Sequence, residues 1–355
     1  MTPSAPSIAG RGAVGTLPRN PAIDGLRAVS ILLVIFSHVL QTYHWTQSVP
    51  FVWRLVPGAS GVSVFFVVSG YLITMLLLKE RAGRGSISLR GFYFRRFFRI
   101  VPAFMVYVSA VAVLNWMGVI HMPWSDFGVA FFYVSNYVSV QWALLHTWSL
   151  SVEEQFYLLF PLLLVSTHRP TLLRVLTGAL CLSIVARLFN QVFPIWPLDA
   201  TYSFEGRADQ LAFGCLCAIF QHHASFEKQE QLRRIAIPMS AALFCISIAL
   251  PIGALRTLLF NTFSGAGIAL VVYSCATQPA HWLSRVLGTL PLRALGLISY
   301  SLYLWQQIWM TPAFHLSLPV ALAGALACGT ASYWLVEKPG LKLRHHIQQW
   351  NKPTQ

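Results

Sequence analysis

Apolar runs of about 20 residues recur along this 355-residue chain and are separated by short loops. Since a helix needs about 20 apolar residues to cross the hydrocarbon core of a bilayer, the recurrence predicts a polytopic membrane protein. The composition agrees, because only 10% of the residues are charged whereas a soluble domain carries about 25%. So few charges cannot cover a water-facing surface of this size. We therefore predict an all-α fold, a bundle of transmembrane helices.

The pattern predicts ten spans and one shorter apolar segment, residues 127–141. At about 15 residues this segment is short for a crossing, and it is expected to be re-entrant or interfacial. The ten predicted spans are residues 23–42, 60–79, 100–119, 150–168, 171–189, 208–221, 235–252, 258–277, 293–314 and 318–336.

The basic residues predict the orientation. If residues 127–141 do not cross, 21 of the 25 Lys and Arg residues lie on one face, counting Arg27 at the end of the first span. If they do cross, the asymmetry largely disappears. The positive-inside rule favours the first arrangement, with both termini in the cytoplasm. The same asymmetry accounts for the net charge of +14 without a nucleic-acid partner.

Three regions are predicted: a flexible cytoplasmic tail at residues 1–20, a membrane domain at 21–340 and a basic cytoplasmic tail at 341–355. The first tail is rich in Pro, Gly, Ser and Ala, and no signal peptide is expected ahead of the first apolar run. All six cysteines fall within apolar segments. Neither a disulfide framework nor a metal site is indicated.

Ionisable residues within a membrane span are costly and commonly functional. In the first span, Asp24 and Arg27 lie at the cytoplasmic end and His38 follows eleven residues after Arg27. Eleven residues are about 16 Å along a helix and close to three turns, so His38 shares the face of Arg27 and lies past mid-membrane. A lone membrane histidine also often hydrogen-bonds a neighbouring helix. Spacing alone leaves both interpretations open.

Two adjacent carboxylates, Glu153 and Glu154, open another apolar helix. An N-terminal cap by Ser149 or Ser151, with the acids at the positive end of the helix dipole, accounts for one of them. Adjacent helical residues point about 100° apart, so the other can face the interior of the bundle. In the predicted topology this helix begins at the outer face, the side toward which His38 lies.

Residues 79–99 carry seven cations, more than orientation alone requires. They are either a topology anchor in contact with lipid phosphates or a site for a multiply phosphorylated ligand. Arginine suits phosphate because its guanidinium binds oxygens in pairs, and Arg96 and Arg99 share one helix face.

Two further groups have a structural and a functional interpretation. Ser69 and Tyr71 flank Gly70 in the second span. Either the small residues allow close helix packing, or Ser69 and Tyr71 supply hydroxyls to a site. Arg207 and Asp209 begin another span, where they either form a structural ion pair or line a polar acceptor cavity.

Several blocks, in order along the chain, resemble the acyltransferase 3 family of integral-membrane enzymes that O-acylate bacterial glycans, peptidoglycan and some small molecules. The first span, with Arg27 and His38, is similar to the family's signature of arginine, ten residues and histidine. Residues 299–305 resemble a motif that usually continues with histidine, but Gln306 and Gln307 follow here. The resemblance covers about residues 21–340. Its other blocks are residues 62–72, 94–102, 148–157, 207–209 and 333–339.

The resemblance implies an acyl-CoA-dependent O-acyltransferase in the bacterial inner membrane, surrounded by lipid, with both termini cytoplasmic. Acyl-CoA, most often acetyl-CoA, would be the donor substrate, with no tightly bound cofactor and no metal. The acceptor would be a hydroxyl of a glycan. A small-molecule acceptor remains an alternative, as does a transporter or exporter, although the broken-helix repeat typical of transporters is not seen in the two halves. Nothing predicts the oligomeric state.

The resemblance also implies roles for individual residues. His38 is expected to be the general base, with Glu154 or Glu153 orienting its imidazole, or to carry the acyl group covalently. The residues expected to bind the donor are Arg27, Arg95, Arg96, Arg99, Ser69 and Tyr71. Those expected to bind the acceptor are Asp24, Trp148, Arg207, Asp209 and Gln306.

Overall fold

All the regular structure in the computed structural model is helical, and the model describes residues 19–43, 58–193, 201–251 and 253–350. The tail predicted for residues 1–20 lies outside this part of the chain, apart from its last two residues. The described part is an all-α membrane bundle, as predicted.

The helices are α1 (Pro21–Thr42), α2 (Gly58–Arg84), α3 (Leu89–Trp116), α4 (Trp124–Phe131), α5 (Trp142–Leu145), α6 (Thr147–Ser166), α7 (Arg169–Val192), α8 (Phe204–His223), α9 (Phe226–Ala249), α10 (Ala254–Thr277), α11 (Trp282–Leu287), α12 (Leu290–Trp309), α13 (Leu318–Ser332) and α14 (Lys338–Trp350). A π-helical turn, Tyr333–Glu337, joins α13 to α14.

Local sequence explains where several helices begin. The Asn20 side chain accepts hydrogen bonds from the backbone of Ala22 and Ile23, and Pro21 occupies the first turn, where no backbone donor is needed. Ser88 and Ser203 cap α3 and α8 in the same way.

Seven helices within the described residues are long and apolar enough to cross a membrane, so the predicted count of ten spans is not confirmed. The seven are Pro21–Thr42, Ser60–Arg84, Leu89–Trp116, Arg169–Val192, Phe226–Ala249, Ala254–Thr277 and Leu318–Arg344. The spans predicted at residues 150–168, 208–221 and 293–314 correspond to α6, α8 and α12. These three helices carry polar side chains that lower their hydropathy, among them Glu153, Arg207 and Gln306.

The structure also describes residues 127–141 and most of the segment 341–355. Residues 127–141 form no long helix, because α4 ends at Phe131 and irregular residues lead to the four-residue α5. The segment 341–355, expected to be a tail, is helical as far as Trp350 and packs against α3.

Glycines set the closest helix crossings. A side-chain carbon at Gly70 would overlap the Leu211 carbonyl of α8, and one at Gly214 would overlap the Val67 carbonyl of α2. Gly296 of α12 lies equally close to the Asp24 carbonyl of α1. Small residues let membrane helices approach until their backbones touch. These crossings bring α1, α2, α8 and α12 together around the centre of the bundle.

We predict that Gly296→Ala destabilises the protein, because the added methyl overlaps the α1 backbone and forces the helices apart. Overpacking of this kind costs about 1–3 kcal/mol. Thermal unfolding of the purified protein in detergent measures the effect. Gly178→Ala is the matched control, since nothing lies within 4 Å of a side chain at that helical position. An equal melting temperature for the two variants would contradict the assignment of Gly296 to a tight crossing.

Candidate active site

A cavity of about 750 Å³ opens among α1, α2, α3 and α6, at the end of the bundle that carries residues 79–99. Cavities of about 300–1,000 Å³ are typical of small-molecule sites. Its charged lining residues are Arg19, Arg27, Lys79, Arg95, Arg96, Arg99 and Arg344 against Asp24, Glu153 and Glu154. Seven cations against three carboxylates favour an anionic ligand.

Two of these arginines make no hydrogen bond or ion pair with a described residue. Arg96 lies over the ring of Tyr157, with its guanidinium carbon 4.4 Å from the ring centre, and Glu153 and Glu154 are near enough to interact electrostatically. Arg27 interacts electrostatically with Asp24 and Glu153. Their guanidinium donors therefore remain available for a ligand in the cavity.

Arg95 and Arg99 line the same cavity but are paired with buried carboxylates. Arg95 Nη2 lies 2.9 Å from Glu80 Oε2, and Arg99 Nη1 lies 3.9 Å from Glu337 Oε1. The π-helical turn before α14 places Glu337, which also accepts a hydrogen bond from Ser301. These carboxylates hold the two arginines at the cavity wall.

Hydroxyl groups hold Glu153. Ser69 Oγ donates to Glu153 Oε1 at 2.6 Å, and the Tyr157 hydroxyl lies 3.1 Å from Glu153 Oε2. Glu154 lines the cavity beside it. The Tyr71 hydroxyl also lines the cavity and donates to Gln221. Both hydroxyl residues predicted to contact the donor thus lie at this cavity.

The predicted pairing of Glu153 or Glu154 with His38 is wrong for the described structure. Helix α6 begins at Thr147, not at residue 150, so the two acids lie in its second turn and are not at its cap. They lie about 10–12 Å along the helix axis from His146, the residue that precedes the helix. Both share the cavity with the arginines and do not lie opposite them.

His38 contacts Gln306 instead. His38 Nδ1 lies 2.8 Å from Gln306 Oε1, and the Trp142 ring packs edge-on against the imidazole. Gln306 is fully buried and does not line the cavity, and its role in acceptor binding stays a prediction. His38 is also absent from the cavity lining.

Tyr303 connects the cavity with the surroundings of His38. It lines the cavity and lies one turn before Gln306 on α12, about 4.5 Å along the axis. Its hydroxyl is 2.6 Å from Ser149 Oγ, another lining group, and donates to the His146 carbonyl at 2.8 Å. The cavity therefore ends one helical turn from the residue that holds His38.

A role for His146 was not predicted from the sequence. Its ring is buried between Tyr107 and Tyr303, and neither ring nitrogen has a hydrogen-bond partner among the described residues. His38 is near enough to interact with it electrostatically. The available signal was an ionisable side chain directly before the Thr147–Tyr157 block. No role was predicted for Gln307, Tyr303 or Arg344, whose positions depend on helix packing.

Arg207 and Asp209 do not form an ion pair with each other and do not line the cavity. Asp209 pairs with Arg187 of α7 at 2.8 Å, and both side chains are fully buried. Thr262 of α10 hydrogen-bonds both partners, so the cluster joins three helices.

Arg207 is held separately. It donates to the Thr201 carbonyl and to Asn261 Oδ1, and it lies over the ring of Trp148. Trp148 is buried by Phe66 and Tyr202, away from the cavity lining. Of the residues predicted to bind the acceptor, only Asp24 lines the cavity, where it pairs with Arg19.

Known proteins similar to this chain belong to the family that the sequence blocks resemble. The family model for the acyltransferase domain of the acyltransferase 3 family matches residues 20–336. The chain is 30% identical to the peptidoglycan O-acetyltransferase OatA of Listeria monocytogenes, over 94% of this chain and 59% of that protein. It is 28% identical to the putative peptidoglycan O-acetyltransferase YrhL of Bacillus subtilis, over 90% and 54%.

A putative O-acetyltransferase of Staphylococcus aureus strain COL, SACOL0978, is 28% identical over 81% of this chain and 50% of its own length. The chain thus spans between half and three fifths of these relatives. No solved structure shows a significant match.

We predict that Asp209→Ala lowers stability, because it leaves the Arg187 charge buried without its partner, at a cost of about 3–5 kcal/mol. The double variant Arg187→Met, Asp209→Leu should recover much of that loss. Thermal unfolding and acyl transfer are measured for both variants. A stable double variant that has lost transfer would contradict a purely structural role and return Asp209 to the acceptor site.

Proposed function

This chain belongs to the acyltransferase 3 family, and from that premise we propose that it moves an acetyl group from cytoplasmic acetyl-CoA to a hydroxyl of a cell-surface glycan. The family match and the O-acetyltransferase relatives support the reaction class. The glycan, with peptidoglycan as the first candidate, follows from the names of those relatives. The protein would act as a multi-pass enzyme of the inner membrane.

The single observation that carries the donor proposal is the arginine-lined cavity. Coenzyme A presents a pyrophosphate and a 3′-phosphate, and a cavity with seven cations and three carboxylates suits such an anion. Arg27 and Arg96 form no ion pair there with any residue that the structure describes, and both could bind phosphate oxygens in pairs. The basic stretch at residues 79–99 and the positive-inside rule support a cytoplasmic position for this mouth.

The residues at the end of the cavity away from the arginines suggest where the thioester would lie. With the phosphates among the arginines, the pantetheine arm would run past Ser69 and Glu153 toward Ser149 and Tyr303. Gln306, which contacts His38, lies one helical turn beyond Tyr303. The acetyl carbon would then meet the acceptor between the cavity and His38.

In the proposed step, His38 Nε2 removes the proton of the acceptor hydroxyl while its oxygen attacks the thioester carbonyl. The carbon–oxygen bond forms and the carbon–sulfur bond breaks. The proton then passes from His38 to the coenzyme A thiolate, so the products are the O-acetyl ester and free coenzyme A. A positioned histidine contributes about 10²–10⁴-fold to such a step.

We predict that His38→Ala abolishes acetylation, because the variant lacks the imidazole proposed to take the hydroxyl proton. A deletion strain is complemented with the wild type or the variant. Ester-linked acetyl groups on its peptidoglycan and other surface glycans are then measured by mass spectrometry, with membrane levels checked by immunoblot.

His121→Ala is the matched control, because His121 is exposed and lies outside the cavity. Normal glycan acetylation by a well-inserted His38→Ala protein would refute the role of His38. Unchanged surface glycans in the deletion strain would refute the acceptor class.

We predict that Arg27→Gln and Arg96→Gln each weaken acetyl-CoA binding about 10- to 100-fold, since hydrogen bonds to a charged group contribute about 1.5–3 kcal/mol. Binding of acetyl-CoA to the purified protein is measured by calorimetry. Arg90→Gln is the matched control, because Arg90 is exposed in the same basic stretch and does not line the cavity. Equal effects of all three substitutions would favour a topology anchor or lipid contact over a phosphate site.

A further inference from the structure

A continuous chain of hydrogen bonds runs from a backbone carbonyl to His38. Gln307 Nε2 donates to the Trp142 carbonyl at 2.9 Å, and Gln306 Nε2 donates to Gln307 Oε1 at 3.2 Å. Gln306 Oε1 then lies 2.8 Å from His38 Nδ1. Both glutamines are fully buried. Each contact is internal to the bundle and does not depend on a ligand.

The carbonyl end of this chain decides the direction of every hydrogen bond in it. The Trp142 carbonyl can only accept, so Gln307 must turn its amide nitrogen toward it and its oxygen toward Gln306. Gln306 must therefore present its nitrogen to Gln307 and its oxygen to His38. The Tyr303 carbonyl, 3.4 Å from Gln306 Nε2, independently requires the same orientation.

We propose that Gln306 and Gln307 are positioning residues that hold neutral His38 in the tautomer with its proton on Nδ1. An amide oxygen can only accept, and the hydrogen bond made by one ring nitrogen decides which nitrogen carries the proton. Nε2 then has an unshared pair and no hydrogen-bond partner among the described residues. This inference rests on the proposed role of His38 as the base.

The arrangement serves both protonation states of that base. When Nε2 takes the acceptor's proton, the Nδ1–H group keeps its contact with Gln306 Oε1, whose partial negative charge stabilises the imidazolium. No proton moves along the glutamines, because an amide nitrogen does not titrate in this range. Their contribution is orientation of the ring and stabilisation of its charged form, the function that a carboxylate performs in hydrolase triads.

The direction of the chain also explains how histidine could occupy position 306. A neutral imidazole has one donor and one acceptor on opposite edges, so it can donate to Gln307 Oε1 while it accepts from His38 Nδ1. Glutamate offers only acceptors and methionine offers neither group. The inference therefore ranks the substitutions by hydrogen-bond polarity and not by size or hydrophobicity.

The experiment compares Gln306→Met, Gln306→His, Gln307→Met and the control Gln278→Met in steady-state acetyl transfer. Gln278 hydrogen-bonds the Arg233 carbonyl at the end of α10. It lies outside the chain of hydrogen bonds from the Trp142 carbonyl through Gln307 and Gln306 to His38, which we call the relay. We expect kcat to fall about 10- to 100-fold in both relay methionine variants, as for other partners that orient a functional histidine. The KM for acetyl-CoA should stay unchanged, and Gln306→His should retain most of the wild-type kcat.

A spectroscopic measurement separates orientation from general destabilisation. Solid-state ¹⁵N spectra of histidine-labelled protein, with the His38 signals assigned from His38→Ala, report which ring nitrogen is protonated. The wild type should show a protonated Nδ1 and an unprotonated Nε2, and Gln306→Met should show a mixture. A wild-type His38 protonated on Nε2, or an unchanged kcat in Gln306→Met, would overturn the relay.

The outcomes distinguish this inference from the proposed function. If His38→Ala abolishes transfer while both relay methionine variants keep the wild-type kcat, His38 is the base and the relay is refuted. If His38→Ala retains transfer, the proposed role of His38 as the base is refuted, and the inference that rests on it is refuted as well. Loss of transfer in Gln306→His with a correctly folded protein would refute the polarity argument.

Discussion

The cost of leaving a polar group without a partner in lipid governs this structure. The bilayer core offers no hydrogen bonds, so every charged or amide side chain in the bundle must be paired inside it or face a cavity. Arg187 and Asp209 follow the first course, since they neutralise each other and join three helices. Arg27 and Arg96 follow the second, because their donors face the cavity. The same rule thus separates structural charges from those available to a ligand.

Close helix packing decides where the polar side chains meet and where a cavity remains. Gly70 and Gly214 let α2 and α8 touch along their backbones, and Gly296 does the same for α12 and α1. The space left among α1, α2, α3 and α6 is the arginine-lined cavity. Its walls are held by internal ion pairs such as Glu80 with Arg95, so the positive charge is in place before any ligand binds.

The site has two parts with different chemistry. The cavity combines positive charge with hydroxyls, which suits the phosphates and the arm of a nucleotide-linked thioester. Among the described residues, His38 contacts an amide and an indole ring, and none of their carboxylates hydrogen-bonds the imidazole. Tyr303 lies between them. A bundle of this kind can keep a charged donor at one end while the base lies outside the cavity, in contact with Gln306.

The sequence by itself determined the class of fold, the family and the residue types at the site. Hydrophobic run length is a local property, so it predicted α1 and the other apolar helices well, but it could not count spans where polar side chains interrupt α6, α8 and α12. The spacing of Arg96 and Arg99 likewise predicted a shared helix face, and both residues line the cavity.

Only the tertiary structure decided which polar groups meet. The partner of Asp209 is Arg187, not Arg207, and the partner of His38 is Gln306, not a glutamate. Helix rotation and depth set these pairs, and both depend on contacts between residues far apart in the chain. Periodicity along a single helix carries no information about them.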